Sequence, residues 1–149
     1  MPKSDEEPPL SLAIYPVFEK KVPRFNGWGN VSGKHLAHAQ PKLDKIAKKL
    51  RVAPLEKFGS VNPEELADFL ESIGHSRAIA EGVRERWFDP SKGLKTVQSL
   101  LAALEKNSKS LGSSEHFTRE GVTRDLKAME RVLLAAAKHK IRFHLAMDG

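Results

Sequence analysis

Two histidines, His35 and His38, are the first residues whose type and spacing could do chemistry. They stand three positions apart in GKHLAHAQ, so on a helical turn their imidazoles would share one face. A zinc site needs three or four ligands, and His144 or Asp89 could complete this pair only if the fold brought them close. The spacing is therefore compatible with a metal site or a small enzyme around these histidines. It is equally compatible with two histidines near the start of a helix.

A second candidate is the segment WFDP, residues 87–90, which precedes a regular apolar repeat. Asp89 followed by Pro90 is the pattern of a helix cap with proline in the first turn. Trp87 and Phe88 come just before the cap, where an apolar residue often packs on the first turn. A tryptophan also suits a ligand pocket or a partner anchor. Because the capping pattern is sufficient, we interpret WFDP mainly as the start of a helix.

Trp28 lies in the Gly-rich stretch FNGWGNVSGK, which lacks the spacing of a phosphate-binding loop. In such a loop a tryptophan ring either contacts a ligand or partner, or is buried in the core. No catalytic motif is recognisable, so we predict no catalytic residue, no metal ligand and no cofactor, and we lean against an enzyme. The candidate binding residues are Trp28, His35, His38, Trp87, Asp89 and His144.

The chain is basic, with a formal net charge of +6, and its charge is uneven. Residues 1–60 hold 11 Lys or Arg against 6 Asp or Glu, residues 61–90 hold 3 against 7, and residues 91–149 hold 11 against 6. The strongest basic run, segment 42–57, could follow a phosphate backbone through Lys42, Lys45, Lys48, Lys49 and Arg51. Aromatic residues that would stack on bases are almost absent from this run. Nucleic-acid binding is therefore an alternative to an ordinary solvated surface.

Length and composition fit one globular domain. With 149 residues, 40% of them hydrophobic, the chain is long enough to bury a core. The absence of cysteine excludes disulfides and thiolate chemistry. We expect a flexible leader at residues 1–9 and a single domain over residues 10–149. The start MPKSDEEPPL has no secretory pattern and no stretch suits a membrane span, so we expect a cytoplasmic protein without a membrane partner.

The first half of the chain predicts a strand and two helices. LSLAIYPVF alternates apolar and other residues, which indicates a strand, and its proline predicts either an edge strand or the end of a strand. Helix one is predicted to begin near Pro41, after a short helical turn over residues 35–40. Helix two is predicted from the cap Asn62 to Gly74. Its buried stripe is predicted to be Leu66, Phe69, Leu70 and Ile73.

The second half predicts further helices and a closing strand. A helix is predicted from Ser76 to about Arg86 with Ile79 inward, one from Pro90, and a last one from near Thr118 to about Lys138. IRFHLAM alternates and indicates a strand. The predicted fold class is α+β and predominantly helical. Four main helices pack on a small two-stranded sheet formed by the N- and C-terminal strands, because neither strand alone satisfies its backbone.

Three segments resemble a group of small uncharacterised bacterial proteins: LDKIAKKLRVAPLEKFGSVNPEELADFL, WFDPSKGLKTVQSLLAAL and KIRFHLAMDG. Those proteins carry a similar aromatic–Asp–Pro–x–x–Gly–Leu segment before a helix and end in a short strand. The resemblance runs from Leu43 to the C-terminus. It implies a bacterial, cytoplasmic origin, and it assigns no activity and no role to any residue.

The functional expectation is a non-enzymatic protein-interaction or regulatory module. It depends on the lack of a catalytic motif, the uneven charge and the free edges of a two-stranded sheet, which offer a second copy a place to form a homodimer. The first alternative is a nucleic-acid-associated protein that uses segment 42–57. The second is a small enzyme or metal-binding protein around His35 and His38.

Overall fold

The computed structural model describes residues 13–25, 33–107, 109, 111–112 and 115–148. Over these residues the chain forms four helices and two strands: β1 (Ala13–Phe18), α1 (Lys34–Lys49), α2 (Pro63–Ser72), α3 (Pro90–Lys106), α4 (Arg119–Lys138) and β2 (Phe143–Asp148). Single 3₁₀ turns occur at Leu55–Phe58 and Arg77–Ala80. The expected leader at residues 1–9 and Trp28 lie outside the described residues.

The sheet joins the two ends of the chain, as predicted. β1 and β2 pair antiparallel, from Ala13 opposite Asp148 to Phe18 opposite Phe143. The α+β, mainly helical fold class is therefore confirmed. α3 packs along α4, and α1 contacts α3, α4 and β1, so three helices enclose the core. Its largest fully buried side chains include Leu36, Leu43, Leu100, Leu104, Leu126, Met129, Leu133 and Phe143.

Both outer edges of the sheet are partly occupied by loops. On β2, Phe88 exchanges two backbone hydrogen bonds with Phe143, and the Ser60 N–H donates to the Leu145 carbonyl at 3.1 Å. On β1, the Ile14 N–H donates to the Gly33 carbonyl at 3.0 Å. Covered edges are less available to another strand. A homodimer through the sheet edges stays a prediction, and it has fewer free backbone groups to use than the sequence suggested.

Gly33 and Gly93 allow the closest approaches between elements. At Gly33 the backbone has φ +75, and an added Cβ would lie 2.0 Å from the Ile14 carbonyl oxygen. At Gly93, inside α3, an added Cβ would lie 2.4 Å from the Phe143 ring. A glycine inside a helix often marks the close approach of another backbone. The group that approaches is instead the buried ring of β2, and it fixes the sheet against α3.

The predicted start of helix one at Pro41 is wrong, because α1 begins seven residues earlier, at Lys34. Pro41 lies inside the helix, where it removes one backbone donor and costs about 3 kcal/mol. Upstream of it, Leu36 and Ala39 are fully buried and extend the stripe that continues at Leu43. Burial of that extra turn against the core offsets the proline penalty.

Two predictions on residues 61–86 are also wrong. Phe69 and Ile73, expected in a buried stripe, are 58% and 52% exposed. The helix expected from Ser76 to Arg86 is only the single turn Arg77–Ala80, and Ile79 is 59% exposed rather than inward. The backbone turns at Gly82 with φ +86, which ends any helical run there. The caps, in contrast, are confirmed: Asn62 accepts from the N–H groups of Glu64 and Glu65.

Candidate functional site

His144 of β2 is enclosed with Glu85 and Trp87. The imidazole is 2% exposed, and its Nε2 lies 2.7 Å from the Glu85 carboxylate. Its Nδ1 lies 3.3 Å from the Leu145 carbonyl oxygen, and the Trp87 ring centre is 4.8 Å from the imidazole centre. Both ring nitrogens are therefore engaged within the protein. This arrangement holds the segment before α3 against β2, and it leaves His144 no free nitrogen for a substrate.

Asp89 is the N-cap of α3, as the WFDP pattern predicted. Its carboxylate accepts hydrogen bonds from the Ser91 N–H at 2.9 Å and the Ser91 hydroxyl at 2.7 Å. The Ser91 hydroxyl, then the Ser91 N–H, holds the pKa of Asp89 below its usual value, because both bonds favour the charged form. The neighbouring Phe88 packs edge-on against Phe58. The WFDP segment is therefore part of the structural framework at Phe88 and Asp89.

Replacing Asp89 with alanine should lower the free energy of unfolding by about 0.5–2 kcal/mol, since the first turn of α3 loses its cap. Asp89→Asn keeps a capping oxygen and serves as the control. Because folding lowers this pKa, the charged cap stabilises the fold above the unfolded-state pKa and loses that effect as the pH falls. Urea unfolding at neutral and acidic pH measures both effects. An alanine variant as stable as the wild type at neutral pH would show that the cap contributes nothing.

His35 and His38 lie on α1, apart from His144. The His35 Nδ1 accepts a hydrogen bond from the Thr118 N–H at 3.1 Å, and its ring fills the space beside Gly121 of α4. The His38 ring stacks on His116 with centres 4.8 Å apart. Among the described residues, no group of three or more His, Asp or Glu side chains is placed to hold a metal ion. These histidines join α1 to the start of α4.

Acidification should destabilise the protein through His38. Burial, followed by the nearby His116 and His35, lowers the pKa of His38 from its usual 6.5. The unfolded chain therefore binds this proton more readily, so stability is highest above pH 6.5 and falls as the pH drops toward the folded-state pKa. Urea unfolding between neutral and mildly acidic pH should show that slope. It should be shallower in His38→Gln and unchanged in the control His75→Gln, at an exposed position. Equal slopes in all three proteins would contradict the assignment.

The basic run at residues 42–51 is exposed, and one of its members also has contacts within the protein. The Lys42 ammonium lies 3.4 Å from the Leu111 carbonyl oxygen and 5.5 Å from the centre of the Phe117 ring, so it has partners within the protein. The other four predicted contact residues extend into solvent: Lys45, Lys48, Lys49 and Arg51. The whole run is therefore a surface feature, and the ammonium of Lys42 is in addition engaged within the protein.

Residues 61–82 form a projection that we call the acidic arm. α2 packs against the turn Arg77–Ala80 and makes little contact with any other element. The Arg77 guanidinium binds three carboxylates of α2 at 2.6–3.1 Å: Glu64, Asp68 and Glu71. The opposite face of α2 carries the apolar stripe Leu66, Phe69, Leu70 and Ile73, of which the first and third are half-buried and the other two exposed.

A groove about 1080 Å³ in volume lies beside α4, and we call it the basic groove. Its apolar lining includes Phe25, Leu134 and Ala135, and its charged lining consists of Arg24, Arg131 and Lys138, with His139 nearby. Leu134 is 56% exposed. The sequence did carry a signal for this surface, because Arg131 and Lys138 stand seven positions apart and so share one face of the last helix.

The predicted binding residues do not form one cleft. Trp87 and His144 are in contact, and Asp89 binds its own helix. His35 and His38 belong to the α1–α4 contact. Within the part of the chain that the structure describes, no hydrogen bond, ion pair or ring contact connects these two groups. The sequence did not reveal the acidic arm as an exposed surface, because the apolar stripe of α2 has the same residue spacing whether it is buried or exposed.

Comparison with known proteins gives no assignment: no family model, curated protein or solved structure matches the chain. The resemblance to small bacterial proteins therefore stays a prediction. None of the helices in the described residues has the length and apolar character needed to cross a membrane.

Proposed function

We propose that this chain is a protein-interaction module whose docking element is the acidic arm. The observation that carries the proposal is the exposed apolar stripe of α2, in which Phe69 is 58% and Ile73 52% exposed. Exposed apolar clusters bordered by charged residues are typical of interaction sites. The same residues would contribute little to the stability of the isolated domain.

The spacing of the stripe fits one established way of recognising a helix. Leu66, Phe69, Leu70 and Ile73 stand at i, i+3, i+4 and i+7, the anchor positions of a helix that binds in an apolar groove. Asn62 caps α2 and Arg77 pairs with its carboxylates, and neither contact depends on the core. A preformed helix loses less conformational entropy on binding than a disordered segment. The arm is therefore organised to present its stripe before any partner arrives.

Site-specific photocrosslinking tests the proposal. A benzophenone amino acid at position 69 should give adducts with a partner protein in cells that naturally contain this chain. The same group at Leu50, an exposed apolar position outside the arm at 43% exposure, is the control and should give few adducts. Adducts of the same identity and yield from both positions would contradict a specific docking role for the arm.

A stability measurement separates docking from folding. Phe69→Ser combined with Ile73→Ser should change the free energy of unfolding by less than about 1 kcal/mol, as surface substitutions do. A buried phenylalanine alone would lose about 3–5 kcal/mol on truncation. A loss in that larger range would mean that the stripe belongs to the core.

Nucleic-acid binding by α1 is a second candidate, supported by the exposure of Lys45, Lys48 and Lys49. Each phosphate contact adds to the salt dependence of binding. Fluorescence anisotropy with labelled DNA and RNA should show affinity that falls steeply with salt, and a shallower slope for Lys45→Gln with Lys49→Gln. Affinity that ignores salt would exclude this candidate.

A further inference from the structure

The basic groove of this chain has the properties that the acidic arm requires of a partner. We infer that the arm of one copy docks in the basic groove of a second copy, an inference that rests on the proposed function and names its partner. The arm and the groove lie on different parts of the molecule, and α2 makes little contact with α4. The contact therefore joins two chains.

Charge is the first argument. Residues 61–82 hold five acidic residues (Glu64, Glu65, Asp68, Glu71 and Glu81) and one basic residue, Arg77, so the arm has a formal net charge of −4. Among the described residues, the groove lining has Arg24, Arg131 and Lys138 and no acidic side chain. Within the described residues, no carboxylate forms an ion pair with any of these three cations. Opposite potentials across a contact steer association and fix its register.

Apolar surface is the second argument. Phe69 and Ile73 on the arm, and Leu134 in the groove, are each more than half exposed. Docking would remove these side chains from water together, which is favourable in proportion to the area covered. At about 1080 Å³ the groove is at the upper end of the usual range for a small-molecule pocket, about 300–1,000 Å³. It is large enough to accept several side chains of a helix face.

The charges also disfavour the simplest dimer, in which two arms pair with each other. That arrangement would bring two surfaces of net charge −4 together. The arm-to-groove contact uses different surfaces on the two copies, so a pair joined by one contact keeps a free groove on one copy and a free arm on the other. Such contacts either close into a ring, of which a reciprocal pair is the smallest, or continue as a chain.

A mixing experiment tests this arrangement. The arm variant is Phe69→Ser with Ile73→Ser, and the groove variant is Arg131→Glu with Leu134→Ser. Sedimentation velocity should show association of the wild type that weakens with salt, and at least about tenfold weaker association of each variant alone. An equimolar mixture of the two variants should form a dimer and nothing larger, because one intact arm and one intact groove remain. Leu50→Ser, on neither surface, should behave as the wild type.

Three results would overturn the inference. The first is a wild type that stays monomeric up to about 1 mM, the weak limit of specific association. The second is association that neither variant reduces. The third is variants that lose association and do not regain it on mixing. If either double variant does not fold by circular dichroism, the charge changes Glu65→Lys and Lys138→Glu replace it in the same scheme. A monomeric wild type that still crosslinks another protein from position 69 would refute self-docking and leave the proposed function standing.

Discussion

Gly33→Ala should lower the free energy of unfolding by about 2–5 kcal/mol, the largest effect we expect from a single methyl group in this chain. Two costs combine. The backbone of Gly33 has φ +75, where a Cβ costs about 1–2 kcal/mol. The added Cβ would also lie 2.0 Å from the Ile14 carbonyl oxygen, and overpacking of that kind costs about 1–3 kcal/mol.

The backbone around Gly33 cannot easily move to relieve this contact. Its carbonyl accepts from the Ile14 N–H of β1 and from the Ala37 N–H of α1, both at 3.0 Å. A shift would therefore break a bond to the sheet or to the helix. Gly82→Ala is the matched control, since Gly82 has φ +86 and nothing within 4 Å of an added Cβ. Urea unfolding of both variants separates the cost of the backbone conformation from the cost of the steric contact with Ile14. Equal losses of unfolding free energy in the two variants would show that the contact with β1 adds no cost at position 33.

Asp125→Ala should cost about 1.5–3 kcal/mol, the range for a buried hydrogen bond to a charged group. Asp125 belongs to α4, is 2% exposed, and accepts from the Leu36 N–H of α1 at 3.2 Å. The first turn of α1 has no cap from its own sequence, because Gly33 precedes it. A carboxylate from another helix therefore caps α1, and its removal leaves a buried N–H without a partner.

Asp125→Asn distinguishes this role from simple packing. The amide keeps an acceptor of nearly the same shape and loses only the charge assistance, which roughly doubles the strength of such a bond. We expect it to lose about half as much stability as the alanine variant. Thermal unfolding monitored by circular dichroism measures both. An asparagine variant as unstable as alanine would mean that Leu36 is not the group that Asp125 serves.

Local signals in the sequence predicted local structure well. Asn62 and Asp89, each followed by proline, mark the starts of α2 and α3, because a cap and its helix are neighbours in sequence. Thr118 caps α4 in the same way, accepting from the Gly121 N–H. The pairing of the end strands was also predictable, since each needed a partner and neither had another. These predictions needed no knowledge of distant contacts.

Predictions that depended on distant residues failed or were not made. Helix α1 extends back to Lys34 because Leu36 is buried and capped by Asp125, 89 positions away. The partner of His144 is Glu85, 59 positions away, so its enclosure could not be read from spacing. The stripe of α2 was predicted to be buried and is exposed, for a related reason. Periodicity identifies the apolar face of a helix and says nothing about what covers it.

Because the acidic arm makes few contacts with the body, its amide hydrogens should exchange with solvent at rates set by local opening. An ion cluster around Arg77 and one cap are weak compared with the burial that protects α3 and α4. We therefore expect the arm to open as a separate cooperative unit while the core remains folded. A bound partner should slow the exchange of the arm without altering that of the helices behind it.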